Sequence, residues 1–177
     1  MRDRFGADVT WLPFELHPEY PPEGRSRSEA YARFGDPAAV QDRMRARFEQ
    51  HGLTYNPPQD VIPSTKLAQQ LTELARERGL GGRMHDRLMD AYWAEGRNIG
   101  DRDELRLLAA ELGIEDPDAA WSEPVYLDRV LASTAQAQSI GVTGVPGFLL
   151  DRRLLVLGAQ PRELFAQAFE QLDAGDG

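Results

Sequence analysis

Ser139-Ile-Gly-Val-Thr-Gly-Val-Pro-Gly-Phe-Leu-Leu150, followed by Gly158-Ala-Gln-Pro161, is the stretch whose reading decides the fold. A glycine-rich loop runs through Gly144-Val145-Pro146 into the apolar run Phe148 to Leu150, which predicts a strand. The chain then turns at Asp151-Arg-Arg153 and returns through Leu154 to Leu157, which predicts an antiparallel hairpin. A proline at the mouth of a strand cannot donate to a ladder, so its position calls for a reason of shape. An X-Pro bond takes the cis form at little cost, and a cis Val145–Pro146 bond is the expectation here. Gln160-Pro161 then opens a helix with Leu164, Phe165, Ala168, Phe169 and Leu172 turned inward, and Ala174 to Gly177 should fray.

Upstream, Asp8 to Leu16 reads as a strand, since Val9, Trp11 and Phe14 are β-formers and Pro13 marks an edge or an end. Three prolines between His17 and Gly24 make an irregular connection. A helical middle follows. Asp36-Pro37 caps a helix carrying Val40, Met44 and Phe48 on one face until Gly52. Leu53 to Pro63 reads as a loop. Leu67, Leu71, Leu74 and Ala75 mark a second helix ending at Gly79, and Met84, Leu88, Ala91 and Tyr92 a third ending near Gly96. Asp101-Arg-Asp-Glu104 has capping-box spacing and opens a fourth, stopped at Gly113. After a turn at Asp116-Pro117, Leu127, Val130, Leu131, Thr134 and Ala137 place one more helix before Gly141.

Composition narrows the function. The 177 residues carry a net charge of −9, which argues against nucleic acid or an anionic membrane as partner, because phosphate binding needs clustered Lys and Arg. No apolar run approaches the ~18 residues that span a bilayer, and Met1-Arg-Asp-Arg-Phe5 has no apolar stretch after it. With no cysteine there is no disulfide, thiolate metal site or thiol chemistry within the chain, and a cytoplasmic location is the simplest expectation. His17, His51 and His85 lack metal-ligand spacing, so no metal and no cofactor is expected. Ser64, Ser122 and Ser139 lie outside any G-x-S-x-G turn, so a serine hydrolase is disfavoured. Glu95-Gly96-Arg97-Asn98 with Asp101 reads as a helix end, a loop and an N-cap, and Arg76-Glu-Arg78 as a solvated helix face.

Taken together, Trp11-x-Pro13-Phe-Glu-Leu16-x-Pro18, Pro21-Pro-Glu-Gly24, Ser64-Thr65, Ala91-Tyr92-Trp93-x-Glu95-Gly96-x-x-Ile99-x-Asp101, Gly144-Val-Pro146-x-Phe148 and Gly158-Ala-Gln-Pro161 resemble the DsbA-like family. They look most like its FrnE-type branch, related to 2-hydroxychromene-2-carboxylate isomerases and kappa-class glutathione transferases. The resemblance implies an α/β thioredoxin-like fold, N-terminally incomplete, with an inserted all-helical subdomain. Residues 1–35 and 114–177 would form the thioredoxin-like core and residues 36–113 the insertion, which would lean on the core through Met84, Leu88, Tyr92 and Leu108. It also implies thiol–disulfide exchange on a protein or peptide substrate, or on glutathione. The loop Gly144, Val145 and Pro146 would present main chain to that substrate as a strand does.

Family chemistry further implies a first strand and a Cys-x-x-Cys turn at a helix start, or a Ser in the isomerase and transferase branches. Met1 to Gly6 resembles the end of that first helix, so the active-site turn is not among these residues. Three explanations stay open: a start lying further upstream, a degraded remnant, or a second chain filling the gap by swapping or as a homodimer. The exchange activity would then be lost in the chain as written. The alternatives are a noncatalytic module binding an extended peptide or small thiol along Val145-Pro146, or a protein like the isomerase or transferase branches.

Overall fold

A computed structural model describes residues 5–32 and 34–174. The helix end expected over Met1–Gly6 lies outside the described residues for its first four positions, as does the fraying expected over the last three.

The helices are bounded in part by cap chemistry, two of them starting at an aspartate side chain. They are α1 (Arg27–Ala32), α2 (Pro37–Gln50), α3 (Lys66–Glu77), α4 (Gly81–Trp93), α5 (Arg102–Glu111), α6 (Ala119–Ser122), α7 (Pro124–Ser139) and α8 (Arg162–Ala174). Asp36 Oδ2 accepts from the Ala39 N–H at 3.4 Å, and Asp101 Oδ1 accepts from the N–H groups of Asp103 and Glu104 at 2.8 and 3.1 Å. These bonds satisfy donors that a helix start leaves orphaned. At the end of α3, Gly79 takes φ +72°, the Gly79 N–H reaches the Arg76 carbonyl and the Leu80 N–H reaches Ala75. That pair of bonds is a Schellman closure, which a residue with a side chain would strain.

Two short antiparallel ladders complete the architecture. β1 (Arg25–Ser26) pairs with β2 (Val61–Ile62), and β3 (Gly147–Leu150) pairs with β4 (Leu154–Leu157). The first ladder lies partly in a stretch expected to be loop. It depends on Gly24, whose φ is +83° and where an added Cβ would come within 2.5 Å of the Ile62 carbonyl oxygen. The second ladder is the expected hairpin, closed by Asp151 and Arg152 in left-handed conformation.

The apolar interior forms two clusters. Leu71, Leu74, Met84, Leu88, Leu105 and Leu108 make the larger, and Ala119, Ala120 and Tyr126 join it from α6 and α7. Each fully buried Leu or Met there stabilises the fold by roughly 1.5–3 kcal/mol. The smaller cluster holds Leu150 and Val156 of the hairpin against Phe165, Ala168 and Leu172 of α8. On α7 the inward stripe is Tyr126, Val130 and Thr134, one turn apart, which leaves the expected core residue Leu131 exposed.

The strand expected over Asp8–Leu16 is not formed. That segment is extended, yet it pairs with no strand among the described residues. Side chains of two helices, α3 and α7, hold it instead. Arg76 of α3 donates to the Trp11 carbonyl, and Gln69 Nε2 donates to the Phe14 carbonyl at 3.2 Å. From α7, Ser133 Oγ donates to the Pro13 carbonyl at 2.8 Å, and Thr134 Oγ1 accepts the Glu15 N–H at 3.0 Å. The buried Glu15 carboxylate lies 3.7 Å from Lys66. The β-forming sequence is real, but Arg, Gln, Ser and Thr side chains satisfy the backbone where a neighbouring strand would have done so.

Candidate functional site

Helix α7 ends in a turn in which the Gly141 N–H reaches Gln138 and the Val142 N–H reaches Ala137. This closure buries Val142 and throws Thr143, Gly144 and Val145 out toward β3. The Val145–Pro146 bond is cis. Val145 is 55% exposed, and neither its N–H nor its carbonyl has a main-chain partner among the described residues. The Pro146 carbonyl turns the other way and accepts from the Gly158 N–H at 2.8 Å, locking the base of the hairpin. Gly147 packs closely beneath, since a Cβ there would meet Val142 at 3.3 Å.

Pairing geometry then tells which main-chain groups are free. In an antiparallel ladder, bonded and non-bonded pairs alternate. Pro146 opposite Gly158 is a bonded position, so Phe148 opposite Val156 is the next, in the observed register. Gly147 and Leu149 therefore direct their N–H and carbonyl groups away from β4, along an edge that no strand covers among the described residues. Leu149 is 47% exposed on this edge. The loop Gly144, Val145 and Pro146 and the edge of β3 form one continuous stretch of open main chain. Such a surface can bond an extended peptide by strand addition.

It cannot by itself exchange disulfides. Exchange requires a thiolate to attack a disulfide sulfur, and the chain has no cysteine. Among the described residues no group of His, Asp and Glu is placed to hold a metal ion. No helix of the described residues is long and apolar enough to cross a membrane.

The remaining polar side chains serve the scaffold. Arg97 bonds Glu104 Oε2 at 2.6 Å and Glu111 Oε1 at 3.0 Å, Arg87 bonds Glu95 at 2.8 Å, and Asp101 is a cap, as its spacing implied. Arg76 and Arg78 do more than face solvent: each donates to a main-chain carbonyl, of Trp11 and of Glu115. Sequence reading also passed over Arg27, which is 1% exposed. It donates to the Tyr31 hydroxyl at 2.7 Å, the Tyr92 hydroxyl at 2.9 Å and the Pro58 carbonyl at 2.8 Å. Its two tyrosine partners, Tyr31 and Tyr92, stand too far apart in the sequence to form a pattern that would have pointed to it.

The hairpin, the cis-proline loop and the α8 helix behind them define the closing half of a thioredoxin-type domain. The model of the DsbA-like thioredoxin domain matches residues 1–170, and this chain belongs to that family. It is similar to the probable DsbA oxidoreductase SCO1869 from Streptomyces coelicolor, with a TM-score of 0.84 and 32% identity, covering 96% of this chain and 76% of that one. The uncharacterized protein YwbO from Bacillus subtilis is 27% identical over 166 residues, 92% of this chain and 80% of its own. A weaker likeness, TM-score 0.49 at 28% identity, covers 64% of this chain and 60% of the cytosolic disulfide reductase DsbM from Pseudomonas aeruginosa, solved with GSH.

Proposed function

We propose that this chain receives the substrate in DsbA-type disulfide chemistry and performs no exchange with its own residues. Its ligand is an extended polypeptide, or a small thiol, that carries a thiol or disulfide. One observation supports this above the others: at the cis Val145–Pro146 bond the exposed Val145 has no main-chain partner among the described residues, beside the outward groups of Gly147 and Leu149. An extended chain laid there would bond to β3 as a neighbouring strand, with the sulfur-bearing residue beside the proline loop. In exchange, a thiolate attacks one sulfur of the disulfide, a mixed disulfide forms, and the other sulfur leaves with the electron pair and takes up a proton. The nucleophile in that step has to come from outside these 177 residues.

The test uses a fluorescein-labelled hexapeptide whose one cysteine is held as its S-methyl disulfide. Saturable binding is expected, weakened at least about tenfold by Leu149→Pro, which removes an outward N–H without breaking the hairpin. The same chain should neither reduce insulin nor oxidise a reduced peptide above the buffer rate. Absence of binding, or exchange by the thiol-free chain, would overturn the proposal.

A further inference from the structure

Among the described residues the hairpin has a second edge that no strand covers, on the side away from Gly147 and Leu149. The alternation that frees those residues also turns the main chain of Leu155 and Leu157 outward from β4. Helix α8 runs beside this edge. Strand and helix together border a shallow, open groove of about 380 Å³ lined by Leu155, Leu157, Gln160, Leu164, Gln167 and Gln171, among others. On α8 the lining residues Leu164, Gln167 and Gln171 recur at helical spacing, so they share one face. In the neighbouring stripe Phe165 and Leu172 are spent on the small core, and Ala168 borders both core and groove.

Three features narrow what fits. No residue lining the groove is charged, although 28% of the chain is Asp, Glu, Lys or Arg. Charged ligands therefore find no counter-ion. The polar groups present are carboxamides, each offering a donor and an acceptor, the same pair a peptide bond offers. The third feature is a contact already made. Gln160 Nε2 donates to the outward carbonyl of Leu157 at 2.7 Å, where the N–H of an added strand would sit. A side-chain amide thus stands in for a neighbouring main chain at one end of an otherwise open ladder.

We propose that this groove binds an extended, uncharged segment of another polypeptide by strand addition to β4. The added strand would bond to the N–H and carbonyl of Leu155 and to the N–H of Leu157. Its alternate side chains would lie over Leu164, and Gln167 and Gln171 would satisfy peptide groups along the rim. Binding would displace the Gln160 amide from Leu157 or extend the ladder beyond it. The site is separate from the β3 edge and does not depend on the function proposed there.

The probe is a fluorescein-labelled peptide, Gly-Thr-Val-Thr-Leu-Thr-Val-Gly amide, read by anisotropy with the intact chain. A second version is N-methylated at alternate residues so that it cannot pair. Saturable binding of the first peptide is expected, weakened at least about tenfold by N-methylation and by Leu155→Pro. Leu149→Pro should leave it within about twofold, which separates this site from the β3 edge. Leu164→Lys changes an exposed helix position and should also weaken binding at least about tenfold, so the test stands even if Leu155→Pro unfolds. The inference fails if the folded chain shows no saturable binding, or if Leu164→Lys and N-methylation have no effect. It fails too if Leu149→Pro abolishes binding, or if sedimentation shows the groove filled by a second copy.

Discussion

The imidazole of His85 lies stacked on the indole of Trp11, ring centroids 4.1 Å apart and planes 17° apart. This contact fastens the extended segment 8–16 to α4, as Arg76, Gln69, Ser133 and Thr134 fasten it to α3 and α7. Burial holds the His85 pKa below the ordinary histidine value, with the neighbouring Asp86 carboxylate acting in the opposite direction. A histidine whose folded pKa is depressed binds protons better when unfolded. Its contribution is complete above about pH 6.5 and is lost as pH falls through the lower folded value. Acidification from pH 7 to 5 should therefore loosen the segment and change Trp11 emission, and His85→Phe should flatten that part of the profile. An unchanged profile in His85→Phe would refute the assignment.

Arg76→Ala should expose the same segment by a different route. It removes the donor to the Trp11 carbonyl and one partner of Glu73. The expected cost is about 1–2 kcal/mol in urea unfolding. Limited proteolysis should cut between residues 8 and 16 faster than in the parent chain. Equal cleavage rates would show that Arg76 does not hold the segment.

Arg27→Met should be more damaging than its apolar volume suggests. The hydroxyls of Tyr31 and Tyr92 and the Pro58 carbonyl would each lose a charged donor inside the protein. A loss of about 3 kcal/mol is expected, with Arg27→Lys intermediate because an ammonium cannot reach all three acceptors at once. A chemical denaturation midpoint for Arg27→Met near that of the parent would contradict this.

The Glu111 carboxylate accepts from Arg87 and from Arg97, and those bonds hold its pKa below the usual carboxylate value. Because the group is largely exposed, solvent screens most of the gain. Glu111→Gln should cost at most about 1 kcal/mol at neutral pH. The sign is that of a depressed acid: the contribution is present above about pH 4.5 and fades as pH falls through the lower folded value. Added salt should shrink the difference in Tm between variant and parent. A salt-independent difference would point to packing instead.

Much of this was legible in the residues. Asp36-Pro37, the Asp101 cap and the glycines that end α2, α3, α5 and α7 are local signals, and local hydrogen bonds answer them; Glu104 turns to Arg97 instead of back to the Asp101 N–H. The hairpin and the cis Val145–Pro146 bond were equally local in origin. What misled was Val9 to Phe14. Its β-forming composition says the chain is extended there, but whether a strand or a set of side chains satisfies its backbone depends on residues 55 to 120 positions away. Arg27 escaped notice for the same reason, since its partners come together only when Tyr92, 65 residues on, folds over it. Of the candidate site, the loop was readable. An edge there for an extended peptide was an expectation too; which main-chain groups of β3 stand outward was not readable, because that depends on the register of the ladder.

The division of the apolar interior has a consequence for the timing of motion. Leu150, Val156, Phe165, Ala168 and Leu172 enclose far less surface than the cluster around Leu71 and Leu105, and the two sets do not merge. Hydrogen exchange should therefore run on two clocks. The amides of Phe148 and Val156 would report brief openings of hairpin and α8 alone, while those in the middle of α3 and α5 wait for the whole molecule to unfold. A chain built this way can release and re-form its strand edges many times while the helices above them stay closed.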